Sequence, residues 1–368
     1  MQWRSGRVVE SVRSWPGSVE YAVEVPGLGL VRALGYTAMV GTGSPGDLVL
    51  LNCSALLRGL GTGGLAFVVA FPDRLPPDPP GAHEPGHIVK ARYTPQQQMF
   101  LAVDEQDSPH HAVMNNGPAA EGDLAGLPVI AADLHSALPA ILAGIRTVRP
   151  TARVAYLMTD GGALPLAFSR SVAGLVSAGW LTATITVGQA FGGMHEAVTL
   201  HSGLLAARHV LDAEVAVVIQ GPGNVGTDTP WGFSGVAAGE ALNAAHTLRG
   251  RGVAALRVSQ ADPRQRHRGI SHHSHTAYGR ICLAPADVPV PAPDTARRAR
   301  VVAQARELVA EAVGPLTLHE VPTEGLLEAL RATPVPLSTM GRGLEEEREA
   351  FLTSAVAGRH AAGLVDRP

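Results

Sequence analysis

Lysine is almost missing from this chain. Lys90 is the only one among 368 residues, and every other cationic side chain is arginine. A phosphate-loop lysine, a Schiff-base lysine in the central region and a kinase-type lysine–glutamate pair are therefore excluded, Lys90 itself aside. Cysteine is nearly as scarce. Cys53 and Cys282 stand far apart in no metal-type spacing, which fits a reducing cytoplasm. The amino terminus, Met-Gln-Trp-Arg-Ser-Gly-Arg, has no apolar leader core, and no window is long and apolar enough for a bilayer span. Strong net charge is absent too: −3 gives no reason to expect nucleic acid or a membrane as partner. Aromatics are few at 4%, so small-residue packing and tight turns must carry the core.

What is present falls into four stretches. Residues 1–71 hold short apolar runs, Val8–Val12, Tyr21–Val25, Val31–Tyr36, Asp47–Leu51 and Ala66–Phe71, divided by glycine-rich punctuation such as Gly59–Gly64. Closely spaced strands with glycine turns predict a small β-barrel-like domain. Residues 72–126 begin with a proline cluster from Pro72 to Pro85, with His83 in it and His87 just after it, and read as a stiff linker followed by an additional hairpin, Ile88–Tyr93 with Met99–Val103. From 127 to 290 the texture changes to strands alternating with helices, which predicts an α/β domain with a mostly parallel sheet and helices on both faces. Residues 291–368 are expected to form a helical part packed on that domain, including a helix over Thr295–Val313 and a short strand, Leu316–His319.

The chemistry is expected at one sheet edge. Four successive strands each end in a glycine-and-polar loop. These are Asp160-Gly-Gly, Gly188-Gln-Ala-Phe-Gly-Gly, the run Gly221 to Thr229, and the loop Asp262 to His275. The returning helix-to-strand connections are short and plain. If the strands are parallel, all four loops share the carboxyl edge, where open α/β sheets bind ligands.

Gly221, Gly223 and Gly226 formally satisfy the dinucleotide glycine pattern after a strand. Pro222 removes one amide, however, and no acid sits at the tip of the next strand. A simpler phosphate or carboxylate nest, with Thr227 beside it, fits better. The competing reading is a wide loop that needs glycine only for its turn. Histidines 267, 272, 273 and 275 form the densest imidazole group. With Ser271–Tyr278 extended, His273 and His275 share a face and His272 takes the other. A divalent metal on His272, His273 and His275 is one reading. Metal-free acid/base chemistry by His267, His272 or His273, with Asp160 or Asp262 as base or ligand, is another. Arg266 and Arg268 would then bind an anion. Gly192, Gly193 and Glu196, expected at a helix start, are added as ligand-binding candidates. His195, Glu196 and His201 do not make the zincin spacing, because Thr199 takes the needed place.

At Gly188-Gln-Ala-Phe-Gly-Gly, Gly221-Pro-Gly-Asn-Val-Gly-Thr, Gly232-Phe-Ser-Gly, Ala261-Asp-Pro-Arg, Arg266-His-Arg-Gly-Ile-Ser-His-His and Ser338-Thr-Met-Gly-Arg-Gly, the chain resembles a bacterial family known as domain of unknown function 3866. The resemblance runs over nearly the whole length and implies a cytoplasmic bacterial protein, with no activity to carry over. The residues themselves suggest an enzyme acting on a small anionic metabolite, as a homo-oligomer. The alternative is a non-catalytic ligand-sensing or assembly protein that uses the β domain as its oligomer contact.

Overall fold

The computed structural model describes residues 1–61, 63–77 and 86–365. Part of the proline cluster, with Pro79, Pro80, His83 and Pro85, lies outside the described residues.

The N-terminal strands, Trp3–Trp15 (β1), Ser18–Val25 (β2), Gly29–Tyr36 (β3), Leu48–Asn52 (β4) and Ala66–Ala70 (β5), close into a barrel in the order β1-β2-β3-β5-β4. All pairings are antiparallel except β3 with β5. This is the strand order of a five-stranded Greek-key OB barrel. Alternation supplies the closure: Tyr21, Val23 and Val25 point inward with Ala33, Val49, Leu51 and Ala66. A small hairpin follows, Ile88–Lys90 (β6) with Gln98–Phe100 (β7).

The large domain is built on Pro128–Ala132 (β8), Val154–Thr159 (β9), Ala183–Thr186 (β10), His195–Glu196 (β11), Val215–Gln220 (β12) and Arg251–Ala254 (β13). After a two-stranded ribbon, Val258–Ser259 (β14) with Gly269–Ile270 (β15), come Ala286–Pro291 (β16) and Leu316–Val321 (β17). Eight of these form one parallel sheet in the order β11-β10-β9-β12-β8-β13-β16-β17. Their near-continuous apolar runs are what a sheet buried on both faces requires. Side chains alternate between two cores. Val129, Ala131, Leu157, Ala216 and Val218 pack under helices Leu200–His209, Ala237–Thr247 and Ala296–Glu311. Ile130, Tyr156, Met158, Val217 and Ile219 pack on the opposite face, under helices Leu138–Arg146, Arg170–Ser177 and Arg348–Ala362. Helices Leu138–Arg146 and Arg348–Ala362 cross closely. A Cβ at Gly144 would lie 1.8 Å from the Ala355 carbonyl oxygen, and one at Gly358 2.0 Å from that of Ile141. Among the described residues no helix is long and apolar enough to cross a membrane.

The chain runs from β8 to β9 on one side and from β12 to β13 on the other, and the connecting helices leave to opposite faces. The carboxyl ends of β8 and β12 therefore flank a crevice.

Two local expectations are overturned. Residues 194–199 do not start a helix. His195 and Glu196 add a short parallel edge strand to β10, and the helix begins at Leu200 behind the Thr199 cap, whose side chain accepts from the Ser202 amide. Edge pairing with Ile185 and Thr186 satisfies backbone groups that a helix start would leave open. Nor is Ser271–Tyr278 extended. Ser271 Oγ accepts from the His273 amide and caps helix His272–Thr276, which continues as a π-turn over Ala277–Ile281. The Tyr278 hydroxyl fixes that turn by donating to the carbonyls of Ala131 at 2.8 Å and Ala255 at 3.1 Å. The C-terminal part contributes the strand β17 as well as helices.

Candidate functional site

The barrel and the carboxyl edge of the sheet enclose a cleft of about 1030 Å³. The barrel docks through its first turn: Trp15 Nε1 donates to the Ala167 carbonyl at 2.6 Å and Ser18 Oγ donates to the same oxygen at 3.0 Å. This turns the outer face of β2 and β3 toward the sheet, so that Glu20, Arg32 and Leu34 form one wall. Loops after β8, β9, β12 and β13 form the other. Five arginines (Arg32, Arg170, Arg257, Arg264, Arg266) line the cleft against two carboxylates, Glu20 and Asp228. That surplus favours an anionic ligand.

At the floor, His267, His272 and His273 each bring one ring nitrogen within 4.8 Å of the others. The capped helix turn explains the grouping. Adjacent His272 and His273 start the helix, and Ser271 Oγ is also hydrogen-bonded to His267 Nδ1 at 2.7 Å. That bond engages Nδ1 and leaves Nε2 of His267 without a hydrogen-bond partner among the described residues. His273 stacks on Phe233 with centroids 3.7 Å apart and planes 6° off parallel. Its Nδ1 lies 3.0 Å from Arg257 Nη1 and 3.3 Å from Asp133 Oδ2. His272 Nε2 is buried and has no hydrogen-bond partner among the described residues. Burial pushes His267 down to about 3 and His272 down to about 4, with Arg257 and the neighbouring imidazole adding to both. The two rings are accordingly neutral at pH 7, the form that ligates a metal.

Asp262 is placed beside this group but is fully engaged. Its carboxylate accepts from the Arg264 amide and forks onto the Arg264 guanidinium at 3.0 and 2.9 Å. That pairing holds it far below the usual carboxylate range. Arg342 joins it at 3.5 Å and also donates to the buried Glu347 at 2.7 Å. Asp262 thus aims Arg264 into the cleft. Arg266 lines the cleft and pairs with Asp228. Arg268 points elsewhere, its Nε bonding the Asp262 carbonyl at 3.0 Å.

The glycine loop divides in the same way. Gly223 and Gly226 line the cleft. The Gly223 amide has no protein acceptor among the described residues. Gly221 is packed instead, since a Cβ there would lie 2.3 Å from the Ala163 carbonyl oxygen. Thr227 closes its own loop, donating from N to Gly232 O at 2.7 Å. Asp160 sits over the next turn and accepts from the Gln189 amide at 2.9 Å, outside the cleft wall. Gly192, Gly193 and Glu196 also lie outside it. Glu196 is buried and accepts from Lys90 Nζ at 2.8 Å, Thr186 Oγ1 at 2.7 Å and the Gly192 amide at 2.7 Å. The expected set of three does not converge either: His275, on the far side of its helical turn, faces the Glu307–Glu311 side of the neighbouring helix, and His267 completes the group instead.

Four residues of the site carry no motif. Asp133 and His135 follow the apolar run of β8, and their only sequence signal is being the first ionisable groups after a buried strand. Arg257 is such a residue after β13. Ser169 caps helix Arg170–Ser177 and lies 2.7 Å from His135 Nε2. Burial lowers His135 to about 4. Its Nδ1 meets the Tyr156 hydroxyl at 3.1 Å and the Gln220 carbonyl at 3.3 Å. A proton on Nδ1 satisfies that carbonyl and leaves Nε2 to accept from Ser169.

A second, largely apolar chamber of about 610 Å³ adjoins the cleft, lined by Tyr36, Met39, Phe67, Leu164 and Phe191 among others. Phe168 and Gly223 border both spaces, and nothing lies within 4 Å of a Cβ placed on Gly223.

No curated protein and no solved structure matches the chain. The family model described as protein of unknown function (DUF3866) matches residues 32–358, and the chain belongs to that family.

Proposed function

We propose that this protein is an enzyme acting on a small phosphate- or carboxylate-bearing metabolite. His267, His272 and His273 hold one divalent transition-metal ion in the cleft. The single observation that supports the metal is the buried Nε2 of His272, without a hydrogen-bond partner among the described residues, inside a group of three imidazoles. A buried ring nitrogen without a partner is costly, and an ion would satisfy it. Neighbouring nitrogens on a tetrahedral zinc stand roughly 3.3 Å apart, so ring nitrogens lying within 4.8 Å of one another need close by about 1.5 Å at most. Three imidazoles suit zinc or a similar first-row ion better than magnesium or calcium. Such an ion supplies Lewis acidity and an activated water.

The chain's own residues do the rest. Arg257, Arg264 and Arg266 bind and orient the anionic group, with the Gly223 amide beside them. Ser271 and Asp133 orient the imidazoles from behind. The apolar chamber accepts an uncharged arm of the same metabolite. Thermal-shift titration with inorganic phosphate, alkyl phosphates and carboxylates, each with and without Zn²⁺, tests the reading. Stabilisation by an anion that is lost in Arg264→Ala and Arg266→Ala supports it, and no stabilisation by any of them contradicts it.

A further inference from the structure

A second cluster with metal-ligand chemistry lies far from the cleft. Asp287 is near the amino end of β16, His319 is on the adjacent β17, and His360 is in the last turn of helix Arg348–Ala362. One carboxylate serves both rings. Asp287 Oδ1 accepts from His319 Nε2 at 2.9 Å, and Oδ2 accepts from His360 Nε2 at 2.7 Å. The ring centroids are 4.4 Å apart. One donor atom from each of the three residues lies within 4.8 Å of the other two. Neither Nδ1 has a partner among the described residues, and none of the three residues lines the cleft.

We infer that Asp287, His319 and His360 form a second binding site, for a divalent first-row transition-metal ion, that staples the C-terminal helix to the sheet. Two imidazoles and one carboxylate on three separate rigid elements are the ligand set of a facial triad. Ligand atoms at neighbouring positions on such an ion stand about 3 Å apart, so the observed 2.7 and 2.9 Å require only a small widening. For ligation through Nε2 each ring carries its proton on Nδ1 instead, so the two N–H···O contacts open and the carboxylate and both Nε2 lone pairs turn to the ion. The side chain of His319 is 36% exposed and that of His360 13%, which leaves one side open to water and to metal exchange. Two imidazole ligands favour zinc-like ions over magnesium or calcium.

The test uses the full chain with the cleft group removed, His272→Ala with His273→Ala, stripped of metal and titrated with Zn²⁺ by calorimetry. One equivalent is expected, with a rise in unfolding temperature. Adding His319→Ala and His360→Ala should abolish both signals. His360→Gln, which keeps a donor to Asp287 and so preserves the contact between elements, should weaken Zn²⁺ binding at least tenfold without unfolding the protein. No binding by the cleft-deleted protein, or binding that survives loss of His319 and His360, would overturn the inference. Because two of the three proposed cleft ligands are absent throughout, the outcome is independent of the metal proposed there.

Discussion

The Asp133 carboxylate and the His273 ring, 140 positions apart in the chain, meet at 3.3 Å behind the imidazole group, with Arg257 Nη1 at 3.0 Å from the same ring nitrogen. His273 Nδ1 can either accept from Arg257 or donate to Asp133. An ion on Nε2 fixes a proton on Nδ1, selects Asp133, and sends Arg257 to its ion pair with Asp133, now 3.6 Å long. Asp133→Asn should therefore weaken Zn²⁺ affinity by about 10- to 100-fold. Competition with a chromophoric chelator measures it, and Asp160→Asn, outside the cleft, should leave the affinity unchanged.

Acid should destabilise the metal-free protein through the same rings. His267 and His272 fall from the ordinary 6.5 to about 3 and about 4 when folded, so the unfolded chain binds more protons between those values. Stability then drops as pH falls from about 6.5 toward 4 and is unaffected by these groups above pH 7. Asp262, with its folded value lowered, adds a further loss below about pH 4. Denaturation midpoints measured from pH 8 to 4 in chelator should fall less steeply for His267→Gln with His272→Gln than for the wild type. Equal slopes would show that the rings are not held neutral.

The architecture was legible because it is written in runs and punctuation. Buried strands such as Val215–Gln220 open with a continuous apolar run, Val-Ala-Val-Val-Ile, and glycine turns mark the barrel. The carboxyl-edge loops followed from the alternation of strand and helix. The site was only partly legible. His267, His272, His273 and Arg266 stand out by density, but their grouping depends on a helical turn capped by Ser271, and a short polar stretch has no periodicity to announce it. Asp133, His135, Ser169 and Arg257 are single polar residues whose role arises from which strand tips become neighbours. Glu196 misled for a different reason. Its partner is Lys90, 106 positions away on the β6 hairpin, and nothing local signals a buried ion pair.

That pair is a stability feature with a measurable size. Lys90 is 1% exposed and also donates to the carbonyls of Thr186, Ala190 and Ala197. Burial pulls Lys90 down and Glu196 up, so each charge depends on the other. Lys90→Met leaves a buried carboxylate unpaired and should cost about 3–5 kcal/mol, read from urea denaturation. Adding Glu196→Gln to Lys90→Met should restore part of that loss.

The apolar chamber predicts chain-length dependence. Each methylene buried there contributes about 0.8 kcal/mol, so affinity should rise roughly three- to fourfold per carbon from ethyl to hexyl phosphate. Met39→Asp, in the chamber and not in the cleft lining, should remove the increments while leaving inorganic phosphate binding intact. Affinity independent of chain length would separate the chamber from the cleft.

The most direct test of the cleft is metal content in a background without the second cluster. The protein carrying His319→Ala and His360→Ala, equilibrated with Zn²⁺ and freed of loosely bound ion, should retain one equivalent per chain by mass spectrometric metal analysis. Adding His272→Ala and His273→Ala should bring it to zero. A folded His319→Ala/His360→Ala protein that retains no metal, or one whose metal survives loss of both cleft histidines, would contradict the account.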